Sequence, residues 1–591
     1  MNRYKVLKRF LVWRLRHVND RQFLMIMSIL VGFLVGIAAV IIKNSVHFIQ
    51  HLLTSNFTQD DGHYLYLTFP IIGILIAVLF IKYVIRGHVG HGIPSVLFAI
   101  SKTNGVIKRH NIFSSVFTST FTVGFGGSVG LEGPTVATGA AIGSNLGRLF
   151  HLNYKQIMLL LGVACAASMA AIFKSPIAAI VFATEVIMID LTMASAVPLL
   201  LASVTAVLTS YFFLGQAVLY PANITEAFLL KDIPFYILLG IMAGLVSVYF
   251  TKMYIFIESR FSKIKNWYSK LITGGLILGV LIFFFPALFG EGYEAVNATL
   301  QGDVSPLYNN SIFYSFKDKI GVIFLLFIFI ILLKAIATAV TFGAGGIGGI
   351  FAPTLFMGAF TGLFFAKLIN YFEIGTIMES NFALVGMGGL IAGVLHGPLT
   401  AIFLIAELTG GYELFVPLMI TATISYATIK MFVPNSVYTY QLAKRGQLIT
   451  HHKDRAVLSM MRVDRLIERN FKTIGLNSTL GDLIKVVSQS SRNIFPITDD
   501  KGVFIGVVTL EEIREIMFKP ELYDTTYVKD LMFVPDVIVD YNESMEDVAK
   551  KFRITDRFNM IVTREGKFEG CISRAKVFSK YRSLQKFFSD D

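Results

Sequence analysis

The chain is predicted to be an all-α polytopic membrane domain followed by a smaller α/β domain. Three observations predict this. Apolar spans recur up to Arg445, and landmarks of glycine and proline occur twice within that part at matching spacings. Beyond Arg445 the composition turns polar and carries a second duplication, this one of strands and helices.

The spans come first. Of 591 residues 54% are hydrophobic and only 15% are charged, and the mean hydropathy is +0.65, too little charge for a soluble protein of this length. Apolar runs cover 23–42, 66–80, 197–214, 234–250, 271–288, 320–333 and 415–429. Several can cross a hydrocarbon core of roughly 30 Å, and the shorter ones suit tilted, broken or re-entrant pieces. The first run is too long for a signal peptide and lacks a small-residue cleavage site after it.

The net charge of +13 does not point to nucleic acid, because of how it is distributed. Basic residues gather at 5–16, 82–86, 102–109 and 263–270, and acidic ones at Asp60, Asp61, Glu291, Glu294 and Asp303. This positive-inside pattern predicts a multi-pass protein of the cell membrane with a cytoplasmic N-terminus and a cytoplasmic C-terminal domain. Cys165 and Cys571 lie in different regions, which argues against a disulfide or a metal site.

The internal repeat is next. Gly126, Gly127, Gly130 and Pro134 recur as Gly345, Gly346, Gly349 and Pro353, with Gly139 and Gly143 matched by Gly358 and Gly362. Downstream, Pro176 leads to Glu185 as Pro398 leads to Glu407. Duplications of this kind mark inverted repeats with a ligand site at their interface. The acidic loop after the first span and the basic segment near Lys263 fit opposite membrane faces. The organisation is thus a membrane domain over 1–446, with repeats near 22–215 and 233–431, a linker over 447–456, and two small copies over 457–520 and 521–582. Each copy reads as helix, strand, tight turn, strand, helix.

Glu132 carries the chemistry. A carboxylate at membrane depth is costly and needs a reason. It sits among Gly130, Gly133 and Pro134, the pattern of a helix N-terminus, where free N–H groups and the helix dipole favour an anion. An acid placed there competes with the substrate as a gate. Two further glycine- and proline-marked helix starts, Gly92-Ile93-Pro94 with His91 and Ile350-Phe351 before Pro353, supply similar amides, and the Tyr438 hydroxyl supplies another donor. Dipoles of this kind replace hydration without holding an anion as tightly as a buried lysine would. Glycines spaced by four also serve tight helix packing in lipid.

These segments resemble the CLC family of chloride channels and chloride/proton exchangers, over nearly the whole chain. Residues 90–94 resemble the family's GSGIP, 130–134 its G-K/R-E-G-P, and 349–353 match GIFAP in full; Tyr438 falls at the pore tyrosine. The resemblance implies a homodimer with one anion pathway in each subunit and Glu132 as the gate. It also implies an inorganic anion, chloride first, held by the amides of Ile350 and Phe351 with Gly92, Ile93, Leu131, Gly133 and Tyr438 around it.

Three departures qualify the resemblance. His91 stands where most members have serine; its ring donates through N–H and opens bicarbonate or nitrate as substrates, unless it turns away. Leu131 replaces a basic residue beside the gate. Exchangers place a proton-transfer glutamate after the position of Glu185, where this chain has Val186, and valine cannot relay a proton. Weakly coupled or uncoupled transport is therefore expected, with an antiporter using another proton route as the alternative. The C-terminal copies resemble a pair of CBS modules, some of which bind adenine nucleotide. Thr509, Glu512 and Ser573 stand at the corresponding turns, but the ribose-binding aspartate is missing, which favours a structural role and no cofactor. A CBS-regulated divalent-cation transporter would need several converging carboxylates, and the membrane part offers chiefly Glu132, Glu185 and Glu407. No motif of an intramembrane enzyme stands out.

Overall fold

The computed structural model describes residues 2–57, 62–87, 89–90, 92–103, 105–189, 191–216, 228–308, 320–444, 458, 461–555 and 557–589. His91, Asp60, Asp61 and the whole of the expected linker over 447–456 lie outside them. The chain divides into two compact units, 1–448 and 449–591.

The first unit is helical. It comprises α1 (Asn2–His17), α2 (Asp20–Phe57), α3 (Phe69–Leu79), α4 (Ile93–Lys102), α5 (Asn111–Gly124), α6 (Glu132–Leu149), α7 (Tyr154–Phe173), α8 (Pro176–Glu185) and α9 (Met193–Leu214). It continues with α10 (Ile233–Ser262), α11 (Trp267–Phe284), α12 (Tyr293–Leu300), α13 (Ser305–Tyr308), α14 (Ile320–Ala344), α15 (Phe351–Tyr371), α16 (Glu379–Leu395), α17 (Pro398–Leu408), α18 (Phe415–Phe432) and α19 (Val437–Lys444). Among the described residues nine helical stretches are long and apolar enough to cross a membrane. Two of them, at 154–173 and 351–371, are absent from the spans expected on sequence; they are rich in small residues and mostly buried inside the protein.

Local chemistry sets the boundaries. Asn153 and Gln156 form a reciprocal cap at the start of α7, with Gln156 N–H donating to Asn153 Oδ1 at 2.9 Å. Pro176 and Pro398 open α8 and α17, where their missing N–H costs nothing. The 38 residues of α2 span about 57 Å, more than a hydrocarbon core, so the helix tilts or projects beyond it.

Packing follows the repeat. α2 lies on α7 and α9 as α10 lies on α16 and α18, and α6 packs on α7 as α15 packs on α16. Lipid offers no hydrophobic incentive for helices to associate, so close contact between backbones must supply the cohesion. Gly143 and Gly358 allow that contact: a methyl group on Gly143 would stand 2.6 Å from Leu160 O, and one on Gly358 2.6 Å from Gly386 O. The packing role weighed for these glycines is the one they perform.

The second unit contains two three-stranded sheets, ordered β1 (Ile474–Gly475), β2 (Ile494–Thr498), β3 (Phe504–Thr509) and β4 (Val539–Asp540), β5 (Asn559–Arg564), β6 (Lys567–Ser573). In each sheet the first strand runs parallel to the second and the third antiparallel to it. The short strands β1 and β4 add to the pattern expected on sequence; at two residues each they are too brief to show an alternation. The two copies meet at Phe504 and Gly566, whose N–H and O lie 3.0 Å apart, and Phe504 stacks near Phe568.

Candidate functional site

Two loops, 126–131 and 345–350, precede α6 and α15 and are tied together by pairs of equivalent bonds. Gly130 N–H donates to Gly349 O at 2.8 Å, and Gly349 N–H returns to Gly130 O at 2.7 Å. Ser128 N–H donates to Thr341 Oγ1 and Ile347 N–H to Thr122 Oγ1, each at 3.2 Å. Thr122 and Thr341 hold matching places in the two repeats, so each half braces the other's loop. Gly126 and Gly345 make this possible with φ of +92° and +104°, a region other residues adopt only under strain.

The three expected helix starts converge. Leu131 is the residue before α6, Ile350 the one before α15 and Gly92 the one before α4. A methyl group on Gly92 would lie 2.8 Å from Gly133 Cα, and one on Gly133 3.1 Å from Gly349 Cα. Gly92 adopts φ +65° at this contact. Gly92, Gly133 and Gly349 thus touch in series and bring Ile93, Leu131, Ile350 and Phe351 to one point. First-turn amides of a helix lack intrahelical acceptors, and here those of three helices share a neighbourhood.

Glu132 occupies this point and is fully buried. Its Oε1 accepts from Tyr293 Oη at 2.7 Å. Its Oε2 has no hydrogen-bond partner and lies 3.2 Å from where a Gly349 methyl group would stand. The Ala352 N–H faces the same carboxyl group. Tyr438 is buried on α19, its hydroxyl has no hydrogen-bond partner, and it stands within electrostatic reach of Glu132. Buried oxygens without partners are costly, and one of them, Glu132 Oε2, lies at the convergence of amides.

Three charged groups near Glu132 were not anticipated. Glu291, expected as a loop charge, turns inward and accepts from Leu131 N–H at 3.2 Å. Lys334 is fully buried, donates to Gly290 O at 3.0 Å and lies 4.7 Å over the Phe356 ring. Lys43, on α2, interacts electrostatically with both Glu291 and Glu132. The sequence signal for Lys334 was a single cation inside an otherwise apolar helix, whereas Lys43 stands where the apolar run of α2 gives way to polar residues.

Glu185 and Glu407 have a different place. Glu407 accepts from the N–H groups of Ile177 and Ala178 at 3.1 and 2.8 Å, at the start of α8. Glu185 accepts from Leu399 and Thr400 N–H at 3.1 and 2.7 Å, at the start of α17. Each caps the other repeat's helix. Val186 is buried just beyond Glu185.

In the second unit the nucleotide candidates are engaged locally. Glu512 accepts from Thr509 N–H and Oγ1, both at 2.9 Å, and Ser573 Oγ donates to Glu468 Oε1 at 2.9 Å. Hydrogen bonds from Lys485 and Thr479 hold the Asp482 carboxyl below the usual aspartate range, and burial pushes the Cys571 thiol up to about 12.

Residues 72–430 match the voltage gated chloride channel family, and 463–519 and 528–583 each match the CBS domain. The chain is 29% identical over 381 residues to a putative chloride channel protein ClcB-like of Ralstonia nicotianae, covering 64% of this chain and 85% of that protein. It is 28% identical over 410 residues to the H(+)/Cl(-) exchange transporter ClcA of Vibrio cholerae, covering 67% and 84%. Among solved structures it resembles a slow cyanobacterial Cl-/H+ antiporter (TM-score 0.62, 21% identity, 72% of this chain and 98% of that one). It also resembles a eukaryotic CLC transporter (TM-score 0.60, 16% identity, 94% and 97%).

Proposed function

We infer the function from one premise: the chain belongs to the voltage gated chloride channel family, whose members are channels and exchangers rather than enzymes. It is a membrane protein with a CBS pair. We propose that it conducts a small monovalent anion through the convergence of α4, α6 and α15, and that Glu132 is the gate. The observation that carries this reading is the position of the Glu132 carboxyl group. It sits among the helix starts with Oε2 unpartnered, where an anion of similar size would take its place.

Ile350, Phe351, Gly133 and Ile93 would offer backbone donors and Tyr438 its hydroxyl, with Leu131 and Gly92 shaping the site, since their own N–H groups donate to Glu291 and to Gly90 O. Coupling to protons is weak or absent. Val186 cannot titrate, and both oxygens of Glu185 are bound to amides of α17. That engagement also weighs against a cation pathway built on Glu185 and Glu407. Chloride is the principal substrate, with bicarbonate or nitrate admitted if His91 faces the path. Similarity to relatives named as exchange transporters favours a second reading, an anion/proton antiporter with another proton route. The protein works as a homodimer in the cell membrane, with the N-terminus and the CBS pair cytoplasmic. The engaged hydroxyls of Thr509 and Ser573 support a structural role for that pair over adenine nucleotide binding.

The test is flux from liposomes with chloride, nitrate, fluoride and bicarbonate, with protons recorded simultaneously. Glu132→Gln is expected to alter anion flux and abolish its pH dependence. Unaltered flux across pH would reject the gate, and stoichiometric proton movement would select the antiporter.

A further inference from the structure

The gate carboxyl group and three ionisable side chains beside it form a set whose formal charges cancel. Glu132 and Glu291 are the acids, Lys43 and Lys334 the bases. Two of them are fixed. Glu291 is pinned through the Leu131 N–H, directly before the gate, and Lys334 is tied to the Gly290 carbonyl and the Phe356 ring. The charge on Lys334 is felt at Glu291, whereas Lys43 is the lysine whose charge acts on Glu132.

Packing explains the reach of Lys43. Its neighbours Ile42 and Val46 belong to one apolar cluster with Val129 and Leu131, so this turn of α2 lies against the gate loop. Lys43 is half-buried and makes no ion pair within 4.0 Å among the described residues. A further cation in its neighbourhood, Lys174, donates to Gly215 O at 2.7 Å. A lysine at such depth requires a compensating negative charge.

We propose that Lys43 is the anion-attracting cation of this pathway, supplied from α2 because position 131 is leucine. Its counter-charge is shared between Glu291, which stays, and the gate carboxylate, which an incoming anion replaces. One monovalent anion in the place of Glu132 leaves the set neutral, so the exchange carries no net charge penalty. Glu291 is a positioning residue: it holds both the gate loop and the field of Lys43.

This inference rests on the anion-transport reading, and one experiment separates the two. Chloride flux is measured against chloride concentration in liposomes for the wild type, Lys43→Met and the double variant Lys43→Met/Leu131→Lys. Removing one charge at an effective dielectric between protein and water is expected to raise the half-saturating chloride roughly three- to tenfold. Returning a cation at 131 is expected to restore most of that loss. A structural defect would not be repaired by a lysine on a different element. Lys43→Met with the wild-type concentration dependence overturns the proposal, as does a defect that Leu131→Lys leaves unrepaired. Absence of anion flux in the wild type would instead reject the functional reading itself.

Discussion

Tyr293→Phe isolates the hydrogen bond that holds the carboxyl group of Glu132, the proposed gate. The substitution removes one oxygen and keeps the ring. Tyr293 donates at 2.7 Å to Glu132 Oε1, the only side-chain hydrogen bond to that carboxyl group among the described residues. The acceptor is fully buried, so water does not readily substitute. A hydrogen bond to a charged group contributes about 1.5–3 kcal/mol. If that energy favours the occupied position, its loss shifts the balance towards release by roughly 10- to 150-fold, at tenfold per 1.4 kcal/mol. Chloride efflux from liposomes should therefore rise at neutral pH, up to the limit set by the open pathway. Efflux equal to or below the wild type, from protein that remains monodisperse, would refute the idea that Tyr293 latches the gate.

Four further outcomes are expected. Gly349→Ala places a methyl group 2.8 Å from Gly133 N and 3.2 Å from Glu132 Oε2, and overpacking of this kind costs about 1–3 kcal/mol; chloride efflux should fall by an order of magnitude or more. Glu185→Gln weakens the cap on α17 by about 1–3 kcal/mol, so the unfolding temperature in detergent should drop while the ratio of protons to anions stays unchanged. His91→Ser should shift relative permeability among chloride, nitrate and bicarbonate, read from reversal potentials in bilayers. Cys165 and Cys571 are both buried, and the Cys571 thiol, pushed up to about 12, stays protonated at pH 8; maleimide should label either one only after denaturation.

The convergence of helix starts was legible in the sequence because glycine and proline act locally. Gly130, Pro134, Gly349 and Pro353 mark where helices begin and where backbone comes close, and the repeat indicated that the two loops are partners. The reciprocal caps of Glu185 and Glu407 were half legible. The shared spacing from Pro176 and Pro398 was visible, but not that each acid serves the other repeat. The charged set was not legible. The expected spans stop at Ile42 and Leu333, one residue short of Lys43 and Lys334, because composition treats a lysine as an end. The helices run on to Phe57 and Ala344, carrying both lysines into the protein. Glu291 and Tyr293 follow a span as loop residues do, and their contacts with Leu131 and Glu132 cross some 160 positions of chain. Contacts that distant leave no periodic trace.

The most direct measurement is the position of bromide, by its anomalous scattering, in crystals of the wild type and of Glu132→Gln. The account predicts a bromide peak in the variant among Gly133, Ile350 and Phe351, at the place the carboxylate fills in the wild type. A peak at the same place and strength in both proteins, or one remote from these three helix starts, would contradict it.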